Sequence, residues 1–251
     1  KDYSLEDCCR FANANGALVV TRHGCSPEMP FWDELNSFMK QPSQKGIHLL
    51  HRTLEKKREA PTHPLAILAF DHRQYFKDFP TNQVIEFKNL LYQTLNSNLS
   101  LPVQKGFIID EIYGSKVLSS LPSMWCARPI EQSSDRVLKF QNFNEAALML
   151  QKWPTHHIVK VLVQLHSENI ESLKHLQKAC LHYGHHLLIE PLSNSNENYI
   201  SQIQILLEEG LSPQWWKLAP FSKSIEEWKT LFSLIEYHNP HTFGCLLLGQ
   251  E

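Results

Sequence analysis

Seven apolar runs of strand length recur along this 251-residue chain from residue 64 onward. They are nearly continuous in apolar residues rather than alternating, which is typical of parallel strands covered on both faces. Helical patterns separate most of them, so we expect strand–helix–strand units. The runs lie at 65–70, 106–109, 124–127, 157–165, 186–189, 214–219 and 243–248.

Polar side chains occur at one end of most of these runs, or within them. They include Asp71, Arg73, Asp110, Arg128, Glu190 and Lys217. A (β/α)8 barrel builds its active site at the carboxyl ends of its strands, whereas an open sheet gathers its chemistry at one crevice. This distribution favours an α/β fold of the (β/α)8 TIM-barrel type. Only seven strands can be counted, so the sequence predicts a barrel that lacks its last strand, preceded by a short helical N-terminal segment.

Two lysines lie inside apolar runs, Lys160 within 157–163 and Lys217 within 215–220. A lysine is almost never fully buried unless it is paired or used. Burial and a neighbouring cation both favour the neutral amine, which is a nucleophile for carbonyl groups. Two structural alternatives stay open: Lys217 could extend its ammonium to water, and Lys160 could pair with Glu190 or Asp110.

Composition excludes several classes of function. A net charge of −2 and a pI near 6.7 argue against a nucleic-acid partner. No apolar stretch approaches the ~18 residues that a membrane span needs. Six cysteines without a Cys-x-x-Cys motif indicate reduced thiols and a cytoplasmic protein. The histidines at 182, 185 and 186 are interrupted by Gly184, so no metal site is expected.

Residues 3–39 carry the stretch Ala-Asn-Ala-Asn-Gly-Ala-Leu-Val-Val-Thr-Arg-His-Gly-Cys at 12–25, followed by a proline-containing segment at 27–35. They resemble the C-terminal tail of ribokinase-like sugar kinases, and more closely that of the fused 5-dehydro-2-deoxygluconokinases of bacterial inositol catabolism. The resemblance implies a kinase remnant at 1–39. The polar stretch that follows, with a charged run at 55–59 and prolines at 61 and 64, indicates a linker at 40–63. The kinase signature Gly-Ala-Gly-Asp is absent from the sequence, so no kinase catalysis is expected here.

Residues 64–251 resemble the class I aldolase-like domain fused behind that kinase, and are more distantly similar to the tagatose-bisphosphate aldolases. The resembling stretches are Leu-Ala-Ile-Leu-Ala-Phe-Asp-His-Arg at 65–73, Phe-Ile-Ile-Asp-Glu at 107–111 with Tyr-Gly at 113–114, Trp-Cys-Ala-Arg-Pro at 125–129, His-Ile-Val-Lys at 157–160, Leu-Leu-Ile-Glu at 187–190 and Trp-Trp-Lys-Leu at 215–218.

The resemblance implies a reaction: cleavage of 2-deoxy-5-keto-gluconate 6-phosphate to dihydroxyacetone phosphate and malonate semialdehyde. It implies Lys217 as the Schiff-base lysine, Lys160 as its cationic neighbour, and Glu190 and Asp71 as acid/base groups. No metal or other cofactor is expected, because the imine is the electron sink.

Further substrate contacts are expected on chemical grounds. Arg128 and Arg73 offer planar forks for a carboxylate or phosphate. Asp110 and Glu111 stand on alternate faces, so only one can point inward, and Asp110 is the preferred candidate for a substrate contact.

A second reading of the chain is a non-catalytic or truncated appendage of the kinase that binds the sugar phosphate without turnover. An open barrel leaves two unpaired strand edges, which natural proteins cover or pair. We therefore also expect a homo-oligomer that covers these edges.

Overall fold

A computed structural model describes residues 3–20, 29–40, 64–98, 103–121, 124–132, 143–164, 167–192, 199–240 and 242–249. Within them, seven parallel strands form one curled sheet in which the strands follow chain order. They are β1 (Leu65–Ala69), β2 (Gln104–Ile108), β3 (Trp125–Pro129), β4 (His157–Gln164), β5 (Leu187–Leu192), β6 (Trp215–Leu218) and β7 (Gly244–Leu247). The linker predicted at 40–63 lies, except for Lys40, outside the described residues.

A helix occupies each of the six connections between these strands. In chain order they are α3 (Thr81–Asn98), α4 (Glu111–Ser120), α5 (Phe143–Lys152), α6 (Ser167–Tyr183), α7 (Tyr199–Glu208) and α8 (Ile225–His238). A short 3-10 helix (Gln74–Phe76) precedes α3. Strand and helix alternation in this parallel order confirms the predicted TIM-barrel-like fold, and the described residues contain no eighth strand.

Glycines end two of these helices. Gly184 follows α6 with a φ of 79°, and Gly210 follows α7 with a φ of 88°. This left-handed backbone favours glycine because a Cβ would be crowded there. The main-chain N–H groups of His185 and Leu211 then donate back to the helix carbonyls of Cys180 (2.8 Å) and Leu206 (3.1 Å). Each helix therefore ends a few residues before the next strand begins.

Side chains at alternate strand positions enter two different cores. The inner core fills the concave side of the sheet and contains Ile108, Trp125, Ala127, Ile158, Leu188 and Trp215. The outer core packs the sheet against the helices, and its strand residues include Val159, Val161, Leu187, Ile189, Trp216 and Leu218. Because of this alternation, a polar side chain points into the barrel when it lies an even number of residues from an inner-core residue on the same strand.

The N-terminal segment forms α1 (Leu5–Val19) and α2 (Trp32–Lys40). Ser4 caps α1 by accepting a hydrogen bond from the main-chain N–H of Asp7 at 3.1 Å, as its side-chain oxygen can do at a helix start. The two helices pack through Ala14, Leu18 and Leu35. None of the described helices is long and apolar enough to cross a lipid bilayer.

Candidate active site

A cavity of about 450 Å³ opens where the chain leaves the carboxyl ends of the strands. Its size is in the range of small-molecule sites. It is lined by Asp71, His72, Arg73, Gln74, Tyr75, Lys77, Ile112, Tyr113, Glu131, Gln132, Lys160, Leu162, Glu190 and Lys217. Five of the seven residues predicted to form the site are among them: Asp71, Arg73, Lys160, Glu190 and Lys217.

Strand alternation explains why four of these side chains meet. Lys160, Glu190 and Lys217 each follow an inner-core residue by two positions on β4, β5 and β6, and Asp71 follows Ala69 in the same way after β1. Residues two apart on a strand point to the same face. The polar layer is therefore the next layer of the barrel interior, immediately above the apolar one.

The two lysines and two carboxylates form one continuous chain of ion pairs. Lys160 Nζ lies 2.8 Å from Asp71 Oδ2, to which it donates a hydrogen bond, and 2.8 Å from Glu190 Oε2. Lys217 Nζ lies 2.8 Å from the other oxygen of Glu190. All four side chains are at most 10% exposed, so these charges are largely buried at the base of the cavity.

The electrostatics fix the charge state of the first pair. Burial alone would raise the pKa of Asp71, but the charge and hydrogen bond of Lys160, with a contribution from Lys217, hold it below its usual value. Burial alone would lower the pKa of Lys160, but Asp71, Glu190 and Glu131 raise it. Each partner therefore favours the charged form of the other, the Lys160 ammonium and the Asp71 carboxylate.

Glu131 is a third cavity carboxyl, which the sequence analysis missed. It is 3% exposed, and burial raises its pKa against the opposing charges of Lys160 and Arg73. Its Oε2 accepts a hydrogen bond from the Leu162 main-chain N–H at 3.2 Å. Arg73 donates to the Glu131 main-chain carbonyl at 2.8 Å and lies 3.5 Å from its carboxylate.

Strand parity is the signal that could have found this residue. Glu131 follows Trp125 and Ala127 at even spacing, and both of these belong to the inner core. The same parity turns Arg128, which was predicted to contact substrate, away from the residues that line the cavity. Arg128 points to the helix layer instead, where its guanidinium lies 3.9 Å from the centre of the Trp153 ring and 2.8 Å from the Glu111 carboxylate.

Asp110, also predicted to contact substrate, lies behind the cavity wall. It caps α4 by accepting a hydrogen bond from the Tyr113 main-chain N–H at 2.7 Å. Its other oxygen pairs with Lys88, which is fully buried. A carboxylate in this position is occupied by helix capping and by one lysine, so it is not presented to the cavity.

Metal ligands do not gather among the described residues, where no three His, Cys, Asp or Glu side chains could hold one ion. Of the three histidines considered in the sequence, His185 is buried and both of its ring nitrogens face main-chain carbonyl oxygens, of His157 at 3.0 Å and of Leu150 at 2.8 Å. What the cavity offers instead is a pair of amines beside carboxylates.

Residues 31–251 match a protein family described as an uncharacterised protein conserved in bacteria, DUF2090. The chain belongs to this family. The match includes α2 and every strand and helix of the barrel-like sheet. No curated protein matches the chain, so the function is argued from the cavity itself.

Proposed function

We propose that the chain is a class I aldolase-type lyase that cleaves a phosphorylated keto-sugar acid through an imine on Lys217. One observation carries the proposal: a buried lysine amine reaches the strand-end cavity beside a carboxylate that a second lysine also contacts. A lysine amine becomes a nucleophile when a neighbouring base takes its proton, and a nearby cation favours its neutral form. The same proposal places the enzyme in the cytoplasm.

Glu190 is the proton carrier for imine formation in this scheme. It takes a proton from Lys217 across the 2.8 Å contact, and the neutral amine adds to the substrate ketone. Glu190 then returns that proton to the carbinolamine hydroxyl, which leaves as water. The product is a protonated imine, and Glu190 is again a carboxylate.

Cleavage follows because the protonated imine accepts electrons. Glu190 removes the proton from the C3 hydroxyl, the C3–C4 bond breaks, and its electron pair forms the enamine between C4 and C5. Glu190 then gives that proton to C4, and addition of water to the resulting imine releases the ketone product and frees Lys217. Such a positioned base typically contributes ~10²–10⁴ in rate.

The remaining cavity charges have supporting roles. Asp71 holds Lys160 in place at 2.8 Å, and the Lys160 ammonium in turn positions Glu190 through its 2.8 Å contact with Oε2. Arg73 is held by Glu131 at the cavity wall, where its guanidinium can bind an anionic end of the substrate. The proposed substrate is 2-deoxy-5-keto-gluconate 6-phosphate, with dihydroxyacetone phosphate and malonate semialdehyde as products.

A second candidate is binding of the sugar phosphate without turnover. The same Lys217–Glu190 contact favours it. If Lys217 keeps its proton there, it forms an ion pair with Glu190 and cannot act as a nucleophile. The two candidates differ in one measurable respect: only the aldolase forms a covalent bond to Lys217.

Borohydride reduction in the presence of dihydroxyacetone phosphate separates them. We expect a stable adduct on the peptide that contains Lys217, and none in Lys217→Met. Lys174→Met is the matched control, because that lysine pairs with Glu171 and Glu209 on the helix surface and should leave the adduct unchanged. If calorimetry detects ligand binding and no adduct forms, the chain is a sugar-phosphate-binding protein and not an aldolase. An adduct on Lys160 alone would overturn the assignment of the nucleophile.

The expected homo-oligomer stays a prediction. In the described sheet, β1 and β7 each have one neighbouring strand, which leaves a polar main-chain edge on each. Light scattering on the purified chain tests whether a second copy associates.

A further inference from the structure

A fully buried lysine lies behind the cavity wall and has no part in the imine chemistry. Lys88 extends from α3, and its ammonium pairs with the carboxylate of Asp110 and donates to the main-chain carbonyl of His72 at 3.3 Å. Two aromatic rings flank it, with centres 5.5 Å (Phe76) and 5.4 Å (Tyr113) from Nζ. Every one of these partners belongs to a segment that forms the cavity wall.

Two segments meet at this ammonium. One is the loop of residues 71–77 after β1, most of whose residues line the cavity. The other is the start of α4, where Asp110 caps the helix and Tyr113 lines the cavity. The buried ammonium of Lys88 therefore joins these two segments behind the cavity wall, while Asp71 at the start of the same loop pairs with Lys160 of β4.

A buried ion pair of this kind is a weak source of stability, because desolvation offsets most of the attraction, and apolar side chains of equal volume often do as well. Its distinct property is geometry: an ammonium fixes the positions of the oxygens and rings around it. We propose that Lys88 is a positioning residue that sets the wall of residues 71–77 against α4 for substrate binding. The functional half of this inference rests on the proposed function.

The far side of the same loop is tied independently. Arg73 donates to the Glu131 carbonyl, and Asp71 pairs with Lys160. Loss of Lys88 therefore frees the part of the wall nearest His72 and Tyr113 without removing the charge chain around Lys217. The predicted defect is in holding substrate, not in forming the imine.

The test uses the double variant Lys88→Met/Asp110→Asn. It removes both charges together, so that no buried carboxylate is left alone, and asparagine still caps a helix well. The matched control is Glu86→Gln/Lys116→Met. That pair joins the same two helices, α3 and α4, at 2.8 Å, but on the exposed surface.

Two readouts decide the outcome. Hydrogen exchange in peptides covering 71–77 should become faster in the double variant, while peptides of β4 to β6 and the control variant stay as in the wild type. KM should rise about tenfold, since small misplacements weaken substrate positioning, with kcat and the Lys217 adduct retained. Unchanged exchange at 71–77, or an equal increase throughout the domain, overturns the positioning role. A wild type without an adduct instead refutes the proposed function, and exchange alone then decides the role of Lys88.

Discussion

Lys160 and Lys217 contact opposite oxygens of one carboxylate, each at 2.8 Å. Glu190 thus separates two amines that would otherwise repel each other in a buried site. Lys160 has a second anion, Asp71, while the only salt bridge of Lys217 among the described residues is with Glu190. Lys160 is thus held by two carboxylates and Lys217 by one, and the proposed role of Lys217 as the nucleophile rests on this difference.

Replacing Glu190 tests its role as proton carrier. Glu190→Gln keeps the shape but cannot take a proton, so we expect kcat for cleavage to fall by about 10²–10⁴-fold, while Lys217 is still trapped slowly by borohydride. Steady-state kinetics measures the first effect and peptide mass spectrometry the second. Glu171→Gln on the surface of α6 is the control. A Glu190→Gln variant with wild-type kcat would remove this residue from the mechanism.

Replacing Lys160 tests the buried charge chain. Lys160→Met leaves the carboxylates of Asp71 and Glu190 buried without their shared ammonium, and breaking a buried pair in this way typically lowers the free energy of unfolding by about 3–5 kcal/mol. Urea denaturation measures the loss. Adding Asp71→Asn removes one stranded charge and should restore part of the stability. Equal urea midpoints for Lys160→Met and the wild type would mean that water solvates these groups.

The fold could be predicted from the sequence because its signal is local. Each of the seven strands overlaps its apolar run, and their boundaries differ by at most three residues. Lys160, Glu190 and Lys217 were found because a charged side chain inside a buried strand is rare.

The rest of the site depends on which way a side chain faces. Arg128 follows the inner-core residue Ala127 by one position and therefore points to the helices, a difference that strand-end composition does not reveal. Asp110 forms an ion pair with Lys88, which lies 22 residues earlier in the chain, on α3. Such a pairing depends on the packing of α3 against α4, and no sequence pattern encodes it.

A buried histidine should make stability depend on pH. Burial, with Arg128, His156 and His185 nearby, lowers the pKa of His157 to about 4, whereas an unfolded histidine titrates at about 6.5. Between these two values the unfolded chain binds more protons than the folded one, so stability falls as the pH decreases through this window. The wild type should therefore unfold at lower urea near pH ~4 than near pH ~7.

Substituting His157 tests whether this residue causes the change of stability with pH. His157→Gln should lose less stability over the same pH range, because no buried imidazole is then withheld from protonation. His182→Gln, in the last turn of α6, is the control and should keep the wild-type slope. Asp71 contributes in a separate window: its lowered pKa gives stability that is lost only below the ordinary carboxyl value of about 3.9. If the stability of His157→Gln changes with pH as much as that of the wild type, other residues cause the pH dependence.

Replacing Arg128 and Arg73 by lysine in two separate variants distinguishes a role in packing from a role in substrate binding. Arg128→Lys loses the planar stack on Trp153 at 3.9 Å, which is worth about 0.5–2 kcal/mol, so its melting temperature should fall. Its kcat/KM should stay unchanged, because Arg128 does not line the cavity. Arg73→Lys should do the opposite and raise KM with little loss of stability, since Arg73 lines the cavity and is partly exposed. If Arg128→Lys lowers kcat/KM at unchanged stability, the guanidinium reaches the substrate and its placement in the helix layer is refuted.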